Sequence, residues 1–371
     1  MSQCFARELR SLVTSEGRLQ LSIEQVPIGE IADDEVVVRI EAAPLNPSDI
    51  LNLLGAADLS TLKVVGDRIE ADVPKARLPG LTARLDRPMP MGNEGAGVVV
   101  QAGGSAQALL GRTVAIAPLG GSYSTYKKVK ARDCLVLPEG TAARSGASAF
   151  VNPLTVLGMI TTLRRESHTG LVHTAAASNV GQMLNRLCLA ENIPLVSVVR
   201  SQAQVELLRA QGATHVVDSS TEDFRTTLVE AIAATGATLA FDAIGGGRMA
   251  ATILGAMEQV CRRGLTTYSR YGSPLHKQVY IYGALDPGPR IIEGDLGMAW
   301  GVGGWLVMWF LSKLDPSEVG ALRARVAREL NTTFASHYTA EISLADVLSP
   351  DVIRAYTRFA TGAKYLVVPG T

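Results

Sequence analysis

The chain has 371 residues, enough for two domains with separate cores. Its 35 Lys and Arg balance 35 Asp and Glu, so charge offers no case for nucleic acid or an anionic membrane surface. Four scattered cysteines (Cys4, Cys134, Cys188, Cys261) contain no C-x-x-C, and the opening MSQCFARELR lacks an apolar signal core; both features argue against a disulfide framework or zinc knuckle and lead us to expect a cytoplasmic protein.

Residues 1 to about 150 read as β-rich. Val36–Ile40 predicts a strand ending at the Ala42-Ala43-Pro44 turn, and Gly97–Val100 a second, closed by Gly103-Gly104. Val114–Ile116 and a segment holding Tyr123, Tyr126 and Val129 supply two more. Many short strands with Gly and Pro turns predict a compact, barrel-like domain.

From Asn152 the pattern changes to helices and strands in alternation. A helix is expected over Thr155–Arg165, then a strand over Leu171–His173. Thr174 to Asn179 are small residues, and Gly181 opens a run whose Met183, Leu184, Leu187, Cys188 and Ala190 form an apolar helical face. Asn192 and Pro194 stop that helix, and Leu195–Val199 is a β-branched strand. Strand, tight turn, helix and strand make the βαβ unit that holds a dinucleotide's pyrophosphate at a helix N-terminus. The glycine fingerprint is degenerate. Ala176, Ser178 and Gly181 stand where G-x-G-x-x-G has its glycines, and an ordinary buried βα turn would look similar. Arg200 ends the second strand, where NAD binders place Asp or Glu. A guanidinium pairs with a 2′-phosphate that a carboxylate would repel, so NADPH is the expected cofactor, with Ser201 as a further donor. The alternative for Arg200 is a solvated strand-end charge.

Further helices are expected over Ser201–Gln211, Glu222–Thr235 and Met249–Cys261, and further strands over His215–Asp218, Leu239–Ala243 and Gln278–Tyr282. This is a doubly wound parallel sheet. Gly297–Leu311 is the most apolar stretch, too short for a spanning helix and holding four glycines. It reads as a buried strand and helix start and as a candidate subunit contact. Its tryptophans Trp300, Trp305 and Trp309 suit core packing better than a pocket lining. Helices over Pro316–Leu330 and Leu344–Thr361 and a strand over Tyr365–Val368 close the chain.

The order of motifs resembles the medium-chain dehydrogenase/reductase superfamily: A-A-P-L-N-P-S-D (Ala42 to Asp49), then G-N-E-G-A-G (Gly92 to Gly97), then the dinucleotide unit. The resemblance implies an α/β protein with a GroES-like β-rich catalytic domain (1–151 and 314–371) and a Rossmann domain (152–313). Zinc branches of that superfamily carry a Cys and a Gly-His-Glu motif. Here Asn46 and Asn93 stand in those places and only Glu94 remains, so no metal is expected. Within the zinc-free branch the chain is similar to quinone oxidoreductases and to 2-enoyl thioester reductases. N-P-x-T (Asn152 to Thr155), A-S-N-V-G (Ala177 to Gly181) and V-V-R (Val198 to Arg200) match the latter. The resemblance implies that Thr155, Ser178, Asn179, Val180, Gly181 and Arg200 touch NADPH, and that Tyr282, Gly283 and Ala284 face the nicotinamide side.

Two departures from the thioester reductases bear on chemistry. Their proposed proton donor is a tyrosine, and Ala57 occupies its place; no tyrosine precedes Tyr123. The segment 56–90 is longer than in the family and reads either as a mobile lid or as a solvated surface insertion. The expected activity is hydride transfer from NADPH to a quinone or activated alkene, a small-molecule acceptor. Asn46 would orient the acceptor carbonyl or the nicotinamide; its alternative is a turn residue before Pro47. Enoyl-thioester reduction with another donor, and nucleotide binding without turnover, are the competing readings. A homodimer is expected by resemblance.

Overall fold

The computed structural model describes residues 4–358, 362 and 364–370. They form two compact units, 1–151 with 323–371, and 152–322. The first unit begins with β1 (Phe5–Val13), β2 (Arg18–Pro27), β3 (Glu35–Pro44), α1 (Pro47–Leu54), β4 (Asp58–Val65), β5 (Arg68–Asp72) and β6 (Met89–Pro90). It continues with β7 (Gly95–Ala102), β8 (Thr113–Ile116), β9 (Tyr126–Lys130), β10 (Leu135–Val136) and α2 (Ala143–Gly146).

The second unit holds α3 (Val151–Arg165), β11 (Leu171–His173), α4 (Asn179–Glu191), β12 (Leu195–Val199), α5 (Gln202–Ala210), β13 (His215–Asp218), α6 (Phe224–Thr235) and β14 (Leu239–Asp242). After it come α7 (Met249–Arg263), β15 (Lys277–Ile281), β16 (Trp300–Gly304), α8 (Val307–Leu311) and α9 (Pro316–Arg328). The chain then returns to the first unit as β17 (Ala340–Ile342), α10 (Leu344–Val347), α11 (Pro350–Tyr356) and β18 (Tyr365–Val367).

In the first unit a sheet of order β4-β5-β2-β1-β6 and a sheet running β10-β8-β7-β3-β18-β17, with β9 also on β3, enclose one core. Leu9, Leu21, Ile40, Leu53, Ile69, Ile116 and Tyr123 are among its buried members. The alternation of buried and exposed residues along β1 suits a sheet with one covered face. β3 runs through Ala42 to Pro44 rather than turning there, because β18 pairs with Ala43 and Pro44. Tyr123 lies outside β9; it is buried and its hydroxyl donates to the Pro44 carbonyl at 2.9 Å.

The segment 56–90 is not a lid. β4 and β5 pair and extend the first sheet through β2, and a 3₁₀ segment, Lys75–Arg84, follows. The partly buried Leu59 and Leu62 and the buried Ile69 and Ala71 pack on the core, which holds the insertion down.

The second unit is a six-stranded parallel sheet of order β13-β12-β11-β14-β15-β16, the doubly wound arrangement with β11 and β14 at the switch point. β11 and β12 are buried throughout, the near-continuous apolar pattern of a strand covered on both faces. The boundary to the return segment falls inside α9 at 322/323 rather than at 313/314. Glu318, in its first turn, holds Arg165 of the second unit at 2.6 Å.

Two further expectations need correction. The helix expected over Leu344–Thr361 is broken into α10 and α11, because Pro350 cannot continue the first and starts the second; residues 359–361 lie outside the described ones. Trp309 is not a core residue: it is 66% exposed. Trp305 is the packed one, edge-on to Phe241 and stacked on Phe310, with its indole N–H on Thr162.

Candidate functional site

The carboxyl ends of the parallel strands gather most of the expected binding residues. β11 ends at His173, and the chain turns through Ala175, held at φ +50°, into α4. Ser178 is the N-cap of α4, and its hydroxyl accepts the Gly181 N–H at 3.2 Å. The helix therefore starts at Asn179, two residues before the expected Gly181. Gly181 is required by proximity: a Cβ there would stand 2.1 Å from the Ala176 carbonyl oxygen. The turn is pressed against the start of the helix, which brings the N–H groups of the first turn to the sheet's edge. Those groups have no intrahelical carbonyl, and the helix dipole makes that end positive. A pyrophosphate fits this cradle.

Arg200 follows β12, is exposed, and forms no ion pair among the described residues. Its backbone N–H is held by Gln204 Oε1 at 2.9 Å, and Ser201 is the N-cap of α5. Beyond β15, Tyr282 is fixed by its N–H on the Asp242 carbonyl and its hydroxyl on His173 Nε2, at 2.8 Å. Burial drives the His173 imidazole down to about 3 and raises the Tyr282 phenol, so both are neutral at physiological pH. Gly283 and Ala284 run beside the loop after β14, where Leu285 N–H reaches the Ala243 carbonyl.

Sequence reasoning missed the anchor of this edge, Asp242. It is fully buried at the end of β14. Its carboxylate accepts the Thr174 hydroxyl at 2.7 Å and the N–H groups of Ile244 and Gly245. Thr174 Oγ1 in turn accepts the Ala243 N–H at 2.8 Å. One side chain thus ties the turn after β11 to the turn after β14. The signal available was an acidic residue ending an apolar strand before three glycines. Thr155 is set apart from this group, buried on α3.

The first unit carries a second polar cluster. Asn46 is the N-cap of α1 and only 2% exposed. Its backbone N–H is accepted by Asp49 at 2.9 Å, and its amide Nδ2 donates to Glu94 Oε1 at 2.8 Å. The second Glu94 oxygen accepts the N–H groups of Phe150 and Val151, both at 2.9 Å. Asp49 also accepts the Asn93 N–H at 2.8 Å. Asn46 is thus both the turn residue and a buried amide aimed by a carboxylate. Burial raises both carboxyl groups, Asp49 to about 7, against the pull of these hydrogen bonds. The nearby cation is Lys364, whose ammonium donates to the Ser148 hydroxyl at 2.8 Å. Ser148 shares a 2.8 Å hydrogen bond with the Tyr338 hydroxyl. Burial brings Lys364 down to about 8, opposed by the charges of Glu94 and Asp49. Among the described residues no group of three His, Cys, Asp or Glu is placed to hold a metal ion. The oxygens of Glu94 are already committed.

Residues 32–149 match the alcohol dehydrogenase GroES-like domain family. The mitochondrial enoyl-[acyl-carrier-protein] reductase of Xenopus tropicalis is 31% identical over 207 residues, covering 53% of this chain and 51% of that protein. The chain spans about half the length of the curated relatives it matches. A structure from Bacillus thuringiensis, described as a proposed NADPH:quinone reductase, superimposes with a TM-score of 0.76 at 20% identity, over 98% of this chain and 99% of that one. The mitochondrial 2-enoyl thioester reductase Etr1p/Etr2p heterodimer from Candida tropicalis gives 0.69 at 20% identity, over 98% and 100%. At these identities the two structures establish the fold.

Proposed function

We propose that this chain, whose residues 32–149 match the alcohol dehydrogenase GroES-like domain family and whose fold is shared with NADPH:quinone reductase and enoyl thioester reductase structures, is a medium-chain dehydrogenase/reductase that passes hydride from NADPH to a quinone or activated alkene. The observation that carries this reading is the carboxyl edge of the parallel sheet. There a helix N-terminus, an exposed Arg200 without a carboxylate partner among the described residues and the Tyr282–Ala284 strand end follow three strands of one sheet.

NADPH, when bound, supplies the hydride. Ser178 to Gly181 would hold the pyrophosphate, and Arg200 with Ser201 would hold the 2′-phosphate as a charge-assisted pair. Asp242 and Thr174 keep the flanking turns rigid, so the binding edge is preorganised. Tyr282, Gly283 and Ala284 would line the nicotinamide side, and Thr155 would touch the cofactor from α3. Asn46 orients the acceptor carbonyl through the amide hydrogen that Glu94 does not take. Glu94 decides which way that amide faces. A reduced quinone takes its protons from water, so the site needs no protein acid, which agrees with Ala57.

Reduction of an enoyl thioester is the second reading, favoured by the 31% identity to the Xenopus tropicalis enoyl reductase. The test uses protein purified without added zinc, expected to contain far less than one zinc per chain. It compares turnover of a simple ortho-quinone with that of a medium-chain enoyl thioester, in the natural protein and in Ala57→Tyr. The quinone is expected to be faster, and the tyrosine to raise thioester turnover, because a positioned donor is worth roughly 10²–10⁴-fold. A thioester that is the faster substrate of the natural protein, or stoichiometric zinc whose chelation stops turnover, overturns the reading. Failure of every acceptor to oxidise NADPH leaves nucleotide binding without turnover.

We further read the protein as a cytoplasmic homodimer. β16 ends the sheet, so among the described residues its outer edge pairs with no strand. Met298 and Trp309, which flank it in sequence, are 75% and 66% exposed. An edge strand beside exposed apolar side chains is a ready surface for a second copy. Among the described residues one helical stretch, Ala143–Arg165, is long and apolar enough to cross a membrane, and it is 89% buried within the protein.

A further inference from the structure

The first unit has a pocket of about 290 Å³ walled by Gly55, Ala56, Ala57, Asp58, Pro74 and Arg77. Its size is at the lower end of ligand sites, suited to one part of a ligand. It lies just past α1, the eight-residue helix that Asn46 opens, so its wall begins at Gly55, about 13 Å along the helix axis from Asn46. Ala56 and Ala57 leave the volume open.

The charges around it are unevenly paired. Arg84 is half-buried behind the wall, with one terminal nitrogen on the Asn52 carbonyl at 3.1 Å and the other on Ser11 Oγ at 2.9 Å. Its Nε is buried with no hydrogen-bond partner. All its partners are neutral, so no carboxylate balances this guanidinium among the described residues. An unpaired charge withdrawn from water is costly unless a counter-charge arrives. Gly55 lines the pocket, and a Cβ there would lie 3.4 Å from the guanidinium. Gly55 holds φ +58° and ψ −132°, a conformation that excludes side chains and keeps the wall thin here. Arg77 is exposed at the pocket and forms no ion pair among the described residues. Asp58 is the only carboxylate among the lining residues; the Ser60 N–H and hydroxyl donate to its Oδ1 at 3.0 and 2.7 Å and hold it ionised, so one negative charge faces the two arginines. Lys75 to Arg87 carries four cations and one acid, Asp86.

We propose that this pocket receives an anionic oxyacid group of the acceptor, with Arg77 as its direct partner and Arg84 as the charge behind the wall. The proposal rests on the reductase reading and refines its substrate class. The anion has two sources, an acid group on the acceptor ring or the phosphates of a coenzyme A carrier. Arg77 then determines specificity and takes no part in hydride transfer.

The test pairs acceptors that differ by an anionic group: 1,4-naphthoquinone with its 2-sulfonate, and a crotonyl thioester of N-acetylcysteamine with crotonyl-coenzyme A. The KM of the anionic member should be about 10- to 100-fold lower, the worth of a hydrogen bond to a charged group. Arg77→Gln should collapse that ratio and Arg77→Lys restore part of it. A preference in the quinone pair alone identifies a ring acid; one in the thioester pair alone identifies the carrier phosphates. Equal KM values within both pairs, or a ratio unmoved by Arg77→Gln, overturns the proposal. If no acceptor turns over, the reductase reading fails separately. Calorimetric titration of the naphthoquinone sulfonate and of coenzyme A, into protein saturated with NADP⁺, then decides. Binding lost in Arg77→Gln retains the site, and no binding to the natural protein removes it.

Discussion

Arg200 places one unshared positive charge at the end of β12, and its side chain has no structural task among the described residues. The backbone there is already held by Gln204, so removal of the guanidinium should leave the fold intact. Arg200→Ala should weaken NADPH binding about 10- to 100-fold, the worth of a charge-assisted hydrogen bond, and leave NADH nearly unchanged. Fluorescence titration of both cofactors checks this; an equal loss for the two would make Arg200 structural. Asn46 is the opposite kind of residue. Its backbone caps α1 and its amide is committed to Glu94, so its orientation is set by the protein before any acceptor arrives.

At the scale of the element, the turn from β11 into α4 works without two of the three usual glycines. Ala176 and Ser178 are accepted because the chain bends at Ala175 and Ser178 closes the helix end with its own hydroxyl. Gly181 has no substitute, because the Ala176 carbonyl occupies the space of a side chain. Gly181→Ala must push α4 away from the turn. We expect a loss of about 1–3 kcal/mol in stability, the usual cost of overpacking, with loss of dinucleotide binding. Urea unfolding and cofactor titration test it together; an unchanged midpoint with unchanged affinity would contradict the close approach.

At the scale of the molecule, the return of residues 323–371 completes the first unit. β18 pairs with β3, and the same segment brings Lys364 toward Glu94 and Asp49, from more than 250 residues away in sequence. Around its ammonium stand Ser148, the Tyr338 ring and these two carboxyl groups, with Arg144 over the same ring. Lys364 is shifted from 10.5 to about 8, so between those values the unfolded chain binds the extra proton. Its contribution to stability therefore rises with pH across that window. Relative to Lys364→Met, the natural protein should gain stability between pH 7.5 and 10. Denaturant unfolding at both values measures this, and parallel changes in the two proteins would remove Lys364 as the cause.

The parallel sheet was legible in the sequence because buried strands read as apolar β-branched runs and helices as apolar faces at 3.6-residue spacing. These are local patterns, and Leu195–Val199 and His215–Asp218 show them without reference to anything distant. The turn before Gly181 and the strand-end Arg200 were equally local. What the patterns could not decide was pairing across distance. Segment 56–90 became part of a sheet because β2 offered an edge and the core took Ile69 and Ala71. Trp309 carries the same apolar side chain as Trp305, yet one is exposed and the other packed. The Asp242–Thr174 tie and the cluster of Asn46, Asp49, Glu94, Ser148 and Lys364 join residues from opposite ends of a domain. A buried charge persists only where desolvation is offset by particular partners, and those partners are assembled by the tertiary fold alone.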